Sequence, residues 1–259
     1  MNFLFISSLL IALFALVKST LERRGPNRIP ILVLIRDRFP IPQWKEILIG
    51  VGIGSFLVIG PLGLSIGLDW AQLGTNGLIR DGVFLLAIMT IGLKFVWAAI
   101  EELIFRGAVL PQSAKVSNGL VGLIVSSLLF AWGHLERSGA NTPDGLSLLV
   151  FGLDGIGFGI AYLATRNLWL PTIWHTAKNI WIWILFGQST LQLTPGFFQV
   201  TFTGPVLWVG MPKQAGLLDL MASFVAAAVV LVVYRREFAA GLAWVKNQNS
   251  WRNGVGSGG

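Results

Sequence analysis

The chain has no cysteine, only two histidines, and few charged residues for its length of 259. Without cysteine, disulfide bonds, thiolate metal sites and a cysteine nucleophile are all excluded. Charged residues make up 12% of the sequence, about half of the share that a soluble domain carries. Hydrophobic residues make up 54%, and the mean hydropathy is +0.72. These values indicate an integral, multi-pass membrane protein, and no polar stretch is long enough to form a soluble domain.

The net charge of +7 has two explanations, nucleic acid binding and membrane topology. With seven spans and the N-terminus outside, 14 of the 19 lysines and arginines lie in or next to the cytoplasmic loops or the C-terminal tail, and three lie on the other face. Such a bias is the positive-inside pattern of membrane proteins, whose cytoplasmic loops face anionic lipid. We therefore predict a lipid bilayer as the partner of these charges, and no nucleic acid. No organelle signal is evident, so a plasma or inner membrane is predicted.

Seven apolar stretches approach the length that a helix needs to cross a bilayer. They predict an all-α fold, a polytopic transmembrane bundle of about seven or eight membrane-spanning helices. The first stretch lacks a basic n-region and a small-residue cleavage site, which indicates a retained helix and not a signal peptide. The segment 188–215 contains three prolines and is predicted to be interfacial or re-entrant, with an eighth helix as the alternative. The predicted spans are 2–17, 46–68, 82–110, 118–135, 145–165, 168–187 and 216–234.

These stretches divide the chain into four parts. Residues 1–81 contain N-terminal transmembrane helices and a basic cytoplasmic loop, and residues 82–187 form a helical core with three polar motifs. Residues 188–245 form one or more C-terminal membrane segments, and the polar, glycine-rich residues 246–259 are predicted to be a flexible tail.

The first polar motif is Glu101-Glu102-Leu-Ile-Phe-Arg106, late in the third span. An ionisable group inside a span costs roughly 2.5–3.5 kcal/mol on insertion scales and is usually functional. Glu102 and Arg106 are four residues apart on one helix face, so they are predicted to pair. Glu101 points about 100° away and lacks that partner, which suits a general base. The alternative is a purely structural ion-pair cluster of both acids with Arg106.

The second and third motifs contain the two histidines. Phe130 and His134 share a helix face, so the ring is placed to hold the imidazole. His175 and Asn179 also share a face, where they could hold an oxyanion, bind a metal ion or join two helices. A single buried histidine is more often structural than catalytic. Two histidines in spans beside polar partners, together with a buried glutamate pair, favour a functional site.

Two further ionisable residues lie in the predicted spans. Lys178 is an unusual cation beside Asn179 and is expected to extend to the membrane interface. Asp154 lies in a glycine-rich span and is expected to be structural. Placing the turn after the third span near 112–117 leaves Glu101 and His134 about 9 Å apart along the membrane normal. Unequal helix starts or tilt would have to close that gap.

The three patterns Glu-Glu-x-x-x-Arg, Phe-x-x-x-His and His-x-x-x-Asn occur in this order on separate predicted helices. Together they resemble the CPBP family, also called Abi, which contains CAAX prenyl proteases and bacteriocin-processing enzymes. The run from Gly159 to His175 is similar to the family's glycine-rich helix, short turn and Leu-Trp-x-Pro entry to the last motif. The resemblance covers about residues 82–187.

The resemblance implies an intramembrane endopeptidase whose substrate is a membrane protein or peptide. By it, Glu101 and His134 position and deprotonate a water molecule, and His175 and Asn179 stabilise the oxyanion. Glu102, Arg106 and Phe130 have supporting roles. The cofactor is either none or a single divalent metal ion such as zinc, held by Glu101, His134 and His175. No His-Glu-x-x-His sequence is present, so a metal-free mechanism is slightly favoured.

Other functions are weighed against the peptidase. A non-enzymatic scaffold or immunity protein of the same fold is the main alternative, because a fold does not fix an activity. A proton-coupled transporter is less favoured, because no inverted repeat relates the halves of the chain. Gly-x-Gly-Asp and Gly-x-Ser-Gly runs are absent, which disfavours presenilin-like and rhomboid-like chemistry. No feature of the sequence indicates that a prenyl group is recognised.

Overall fold

The computed structural model describes residues 37–75, 83–135, 145–187, 196–210 and 214–247. Helices dominate this part of the chain, so the prediction of an all-α polytopic helix bundle is confirmed, with one small sheet added. The helices are α1 (Trp44–Gly67), α2 (Val83–Ile104), α3 (Leu110–Val116), α4 (Gly119–Leu135), α5 (Gly145–Thr165), α6 (Trp169–Phe186), α7 (Val206–Val209), α8 (Leu217–Val233) and α9 (Arg235–Asn247). Phe105–Val109 is a π-helical turn between α2 and α3, and the strands are β1 (Ala71–Thr75) and β2 (Phe198–Phe202).

Each predicted span inside the described ranges coincides with a helix. The helix ends agree within two residues, except that the third span continues to Val116 and the last continues, after an 87° bend, as α9. Within the described ranges, three helices are long and apolar enough to cross a membrane, and the bent pair of α8 and α9 gives up to four. The predicted span 2–17 lies outside the described residues, so a total of seven or eight spans stays a prediction.

Apolar side chains cover the outside of the bundle as well as its core. Phe84 is 79% exposed on α2 and Val232 is 70% exposed on α8. Apolar surface of this extent is typical of helices that face lipid. Inside the bundle, Phe130, Phe158 and Trp174 are almost fully buried and belong to one core between the helices. The chain is therefore an integral membrane protein.

The segment 188–215 contains a strand where an eighth helix was the alternative. In its described part, residues 196–210, β2 is followed only by the four-residue helix α7. β2 pairs antiparallel with β1, with Ala71 opposite Phe202. The alternation of Phe198, Val200 and Phe202 turns apolar side chains to one face, which packs against the C-terminal ends of α1 and α6. The predicted flexible tail falls largely outside the described residues, and α9 extends two residues into it.

The turn between the third and fourth predicted spans lies further along the chain than expected. The predicted span ends at residue 110, but the helix continues to Val116 because the π-helical turn before Pro111 accommodates the proline. The turn is at Ser117 and Asn118. Glu101 is sixteen residues before Ser117 and His134 is sixteen residues after Asn118, so the two lie at the same depth. The expected offset of about 9 Å was therefore wrong.

Glycine allows α1 and α6 to pack closely. A Cβ atom at Gly54 would meet the carbonyl oxygen of Trp174, the Cβ atom of Ala177 at 2.7 Å and the backbone nitrogen of Lys178 at 3.0 Å. Gly52 lies half a turn away on the same helix, and a Cβ atom there meets nothing within 4 Å. These two positions form a matched pair for testing this helix contact.

We expect Gly54→Ala to lower the free energy of unfolding by about 1–3 kcal/mol, because helix backbones must separate to admit the methyl group. Gly52→Ala should be neutral or slightly stabilising, since alanine favours a helix by up to about 1 kcal/mol over glycine. Thermal unfolding of both variants in the same detergent checks the difference. Equal melting temperatures would contradict the close packing of α1 on α6.

Candidate active site

Glu101, His134 and His175 converge from three helices. Oε2 of Glu101 on α2 lies 3.6 Å from Nε2 of His134 on α4 and 3.6 Å from Nε2 of His175 on α6. One ligand atom from each residue lies within 4.8 Å of the other two. Glu101 and His175 are buried, and the His134 side chain is 12% exposed. The structure therefore brings together the three residues on which the sequence-based hypothesis depends most.

The second ring nitrogen of each histidine defines its tautomer. Nδ1 of His134 lies 2.8 Å from the carbonyl oxygen of Phe130, which can only accept a hydrogen bond. Nδ1 of His175 lies 3.0 Å from Oε1 of Glu102, which as a carboxylate also accepts. Each Nδ1 is therefore the donor, and each Nε2 faces Glu101. The two histidines therefore differ in the group that accepts a hydrogen bond from Nδ1, which is a neutral carbonyl for His134 and a carboxylate for His175.

Glu102 and Arg106 form the predicted pair, and each makes a further hydrogen bond to another helix. Nη1 of Arg106 donates to Oε1 of Glu102 at 3.0 Å, and Nη2 donates to the carbonyl oxygen of Gly155 on α5 at 3.0 Å. Both side chains are fully buried. The same Glu102 oxygen accepts from His175. Because Glu101 faces the imidazoles, a cluster in which both acids only neutralise Arg106 does not describe this arrangement.

Aromatic rings surround the two imidazoles. The ring of Phe130 lies 4.2 Å from that of His134 and 5.7 Å from that of His175, as its position in the motif predicted. Phe158 on α5 stacks on His175 at 5.0 Å, and Phe151 lies 5.1 Å from His134. These α5 rings were missed, because nothing in the local sequence distinguishes them from other apolar residues of a buried helix. They restrict the rotation of the imidazoles and limit the entry of water.

Asn179 lies one turn beyond His175 on α6. It is half-buried, and its side chain makes no hydrogen bond with any residue that the structure describes. Four residues advance a helix by about 6 Å, so Asn179 is placed beside the cluster and not within it. Its predicted role in binding an oxyanion stays a prediction, because such a group finds its partner only when substrate is bound.

Lys178 does not extend to the membrane interface, so that expectation was wrong. Its ammonium group donates to Oδ2 of Asp154 on α5, with side chains that are 13% and 2% exposed. The other oxygen of Asp154 accepts a hydrogen bond from Ser223 on α8 at 2.8 Å. Asp154 is therefore one half of a buried ion pair that connects α5, α6 and α8.

The convergent triad fits a single metal ion and also a single water molecule. Two ligands held tetrahedrally at about 2.0–2.2 Å from zinc are about 3.4 Å apart, close to the 3.6 Å observed here. Two imidazole nitrogens and one carboxylate are a ligand set that zinc accepts in catalytic sites. Without an ion, the same atoms surround a place where water can both donate and accept hydrogen bonds.

The comparison with known families supports the motif-based resemblance. Residues 83–181 match the sequence model of a family described as type II CAAX prenyl endopeptidase Rce1-like. Searches of curated proteins and of solved structures found no significant match. The matched region contains all three motifs, from Glu101 to Asn179. In this region, which makes up less than half of the chain, the protein is similar to the type II CAAX prenyl endopeptidase family.

Proposed function

We propose that this protein is an intramembrane endopeptidase that hydrolyses a peptide bond of a membrane-associated protein or peptide. The observation that carries the proposal is the convergence of Glu101, His134 and His175 on one point inside the bundle. Glu101 lies sixteen residues, or about 24 Å of helix, from the turn at Ser117. A bond cleaved at that depth must belong to a substrate that enters or borders the membrane.

The two histidines donate from Nδ1 to different acceptors, which suggests that they have different roles. Nδ1–H of His134 donates to the carbonyl oxygen of Phe130, which leaves the Nε2 lone pair to accept a hydrogen bond from water. When both ring nitrogens of His175 carry a proton, Nδ1–H donates to the Glu102 carboxylate and Nε2–H can donate to a developing oxyanion. The sequence resemblance assigned the same roles.

The reaction then needs a general base that takes one proton from water and later returns it to the leaving group. Glu101 takes a proton from the water held by His134 while the oxygen attacks the scissile carbonyl carbon. The carbonyl oxygen becomes the oxyanion, which His175 and Asn179 stabilise. When the intermediate collapses, the carbon–nitrogen bond breaks and Glu101 returns the proton to the leaving amine. The products are a new carboxylate and a new amino terminus.

A metal-dependent form of the site is the alternative mechanism. If zinc is present, Glu101, His134 and His175 would hold it, and its chemistry would be to polarise the carbonyl and acidify water. We favour the metal-free form, because the chain has its own carboxylate base and no His-Glu-x-x-His helix.

We therefore expect hydrolysis to persist after chelator treatment, with less than one equivalent of zinc per chain by elemental analysis. Matched samples of His134→Gln and His175→Gln show whether any bound metal depends on the site. One equivalent of zinc in the wild type that both variants lose would contradict the metal-free form.

A direct test uses the purified protein in lipid nanodiscs. We would incubate it with membranes from cells that lack it and identify new peptide termini by mass spectrometry. Termini produced by the wild type and not by Glu101→Ala support the proposal. No new termini from either protein would favour a scaffold or immunity protein of the same fold. Proton-dependent uptake into proteoliposomes without cleavage would favour a transporter.

A further inference from the structure

The buried ion pair of Asp154 and Lys178 lies outside the triad, and the mechanism above does not use it. We propose that these two are positioning residues, which fix the rotation of α6 and so the placement of His175 and Asn179. The kinetic part of this inference rests on the proposed function. The structural part does not, and it has its own readout below.

The first argument is connectivity. On α6, His175 is bonded to Glu102, and three residues later Lys178 is bonded to Asp154. On α5, the neighbour of Asp154 is Gly155, whose carbonyl oxygen accepts from Arg106 at 3.0 Å.

Arg106 closes a polar ring, because it also donates to Glu102 at 3.0 Å. The ring leads from Glu102 to His175 on α6, from Lys178 on α6 to Asp154 on α5, and from the neighbouring Gly155 back to Arg106. Three helices are thus tied to one another at the depth of the active site by charged or charge-assisted hydrogen bonds.

The second argument is angular. His175 and Lys178 are three residues apart, so they project about 60° from each other around α6. Two restraints at different angles fix the rotation of a helix, whereas one restraint allows it to turn about the contact. A catalytic side chain must be held within about 0.5 Å and 10–20° of its productive position. A rigid rotation of α6 would displace Asn179 together with His175.

The third argument concerns cost. A buried ion pair often stabilises a protein no more than an apolar pair of the same volume would, so Asp154 and Lys178 are poorly explained by stability alone. Ser223 on α8 adds a hydrogen bond to the second carboxylate oxygen, which restricts the Asp154 side chain further. Orientation of α6 is the gain that an apolar pair could not provide.

The experiment compares the wild type with the double variant Asp154→Asn/Lys178→Met, which removes both charges and leaves no unpaired buried ion. The first readout is ¹⁵N NMR of protein labelled only in its histidine rings. Because the chain has two histidines, it gives two sets of ring signals. His134→Gln assigns them. All samples receive the same chelator treatment, and Lys115→Met serves as the control for loss of a lysine.

We expect the folded double variant to change the His175 ring signals and to leave those of His134 unchanged. On any cleaved substrate, kcat should fall at least tenfold with little change in KM, because alignment and not binding is lost. Lys115→Met should behave as the wild type. Unchanged His175 signals in the folded double variant would overturn the inference.

A milder variant keeps the test decisive if the double variant does not fold. Ser223→Ala leaves the ion pair in place and removes one restraint on Asp154, so it should cause a smaller change of the same His175 signals. No change there would overturn the inference. Altered His175 signals in a protein that cleaves nothing would reject the proposed function and leave the positioning role intact.

Discussion

Replacing Glu101 by glutamine is expected to lower kcat by about a thousandfold while the protein stays folded. A positioned general base contributes typically 10²–10⁴-fold, and an amide cannot take the proton from water. Folding should survive, because the substitution conserves shape and removes a charge from a buried site. The measurement is the initial rate of peptide cleavage by purified variants, with thermal unfolding run in parallel.

Two further glutamates serve as controls for this prediction. Glu102→Gln should cost less, about 10–100-fold, because Glu102 acts on the reaction only through His175. Glu237→Gln changes an exposed glutamate on α9 and should leave the rate unchanged. A Glu101→Gln rate within tenfold of the wild type, or equal losses in all three variants, would contradict the role of Glu101 as the base.

The second large effect is expected in stability. Arg106→Met should lower the free energy of unfolding by about 3–5 kcal/mol, because it leaves the fully buried Glu102 carboxylate without its counter-charge. It also removes the hydrogen bond to Gly155 and the packing of the guanidinium over Phe130 at 4.6 Å. Thermal or denaturant unfolding in detergent measures the loss.

The matching double variant shows whether charge is the cause. Glu102→Gln/Arg106→Met removes both charges and should recover a large part of the lost stability, since replacing a whole buried pair is often nearly neutral. Activity should stay low in the double variant, because His175 has lost the carboxylate that supports it. A single variant as stable as the wild type would contradict the buried pair.

The helices and the main cluster could be predicted from the sequence because their signals are local. A run of about 20 apolar residues leaves the backbone no alternative to a helix in lipid. The order and spacing of the three motifs then predicted which side chains face inward, and Glu101, His134 and His175 do meet. The 100° between Glu101 and Glu102 also gives them different contacts, since Glu101 faces Nε2 of both imidazoles and Glu102 pairs with Arg106 and accepts from Nδ1 of His175.

Contacts between distant helices could not be predicted in the same way. Asp154 and Lys178 are 24 residues apart on different helices, and no spacing rule relates them. An isolated lysine in a span is expected to seek the interface, and only the packing of α5 against α6 supplies its partner. Phe158 was missed for the same reason, because its stacking on His175 depends on how the two helices cross.

Backbone irregularities account for the other differences. A proline usually ends a helix, but the π-helical turn before Pro111 allows the helix to continue to Val116. The strand pairing of β1 with β2 joins segments more than 120 residues apart. Each segment is only five residues long and gives a weak pattern alone.

The most direct test of the central claim is a comparison of membrane proteomes. Cells that lack the protein are complemented with the wild type, Glu101→Ala or Glu237→Gln at equal levels, and new peptide termini are counted. Hydrolysis by the convergent Glu101 site predicts termini that appear with the wild type and Glu237→Gln and vanish with Glu101→Ala. The same termini in all three strains, or none in any, would contradict it.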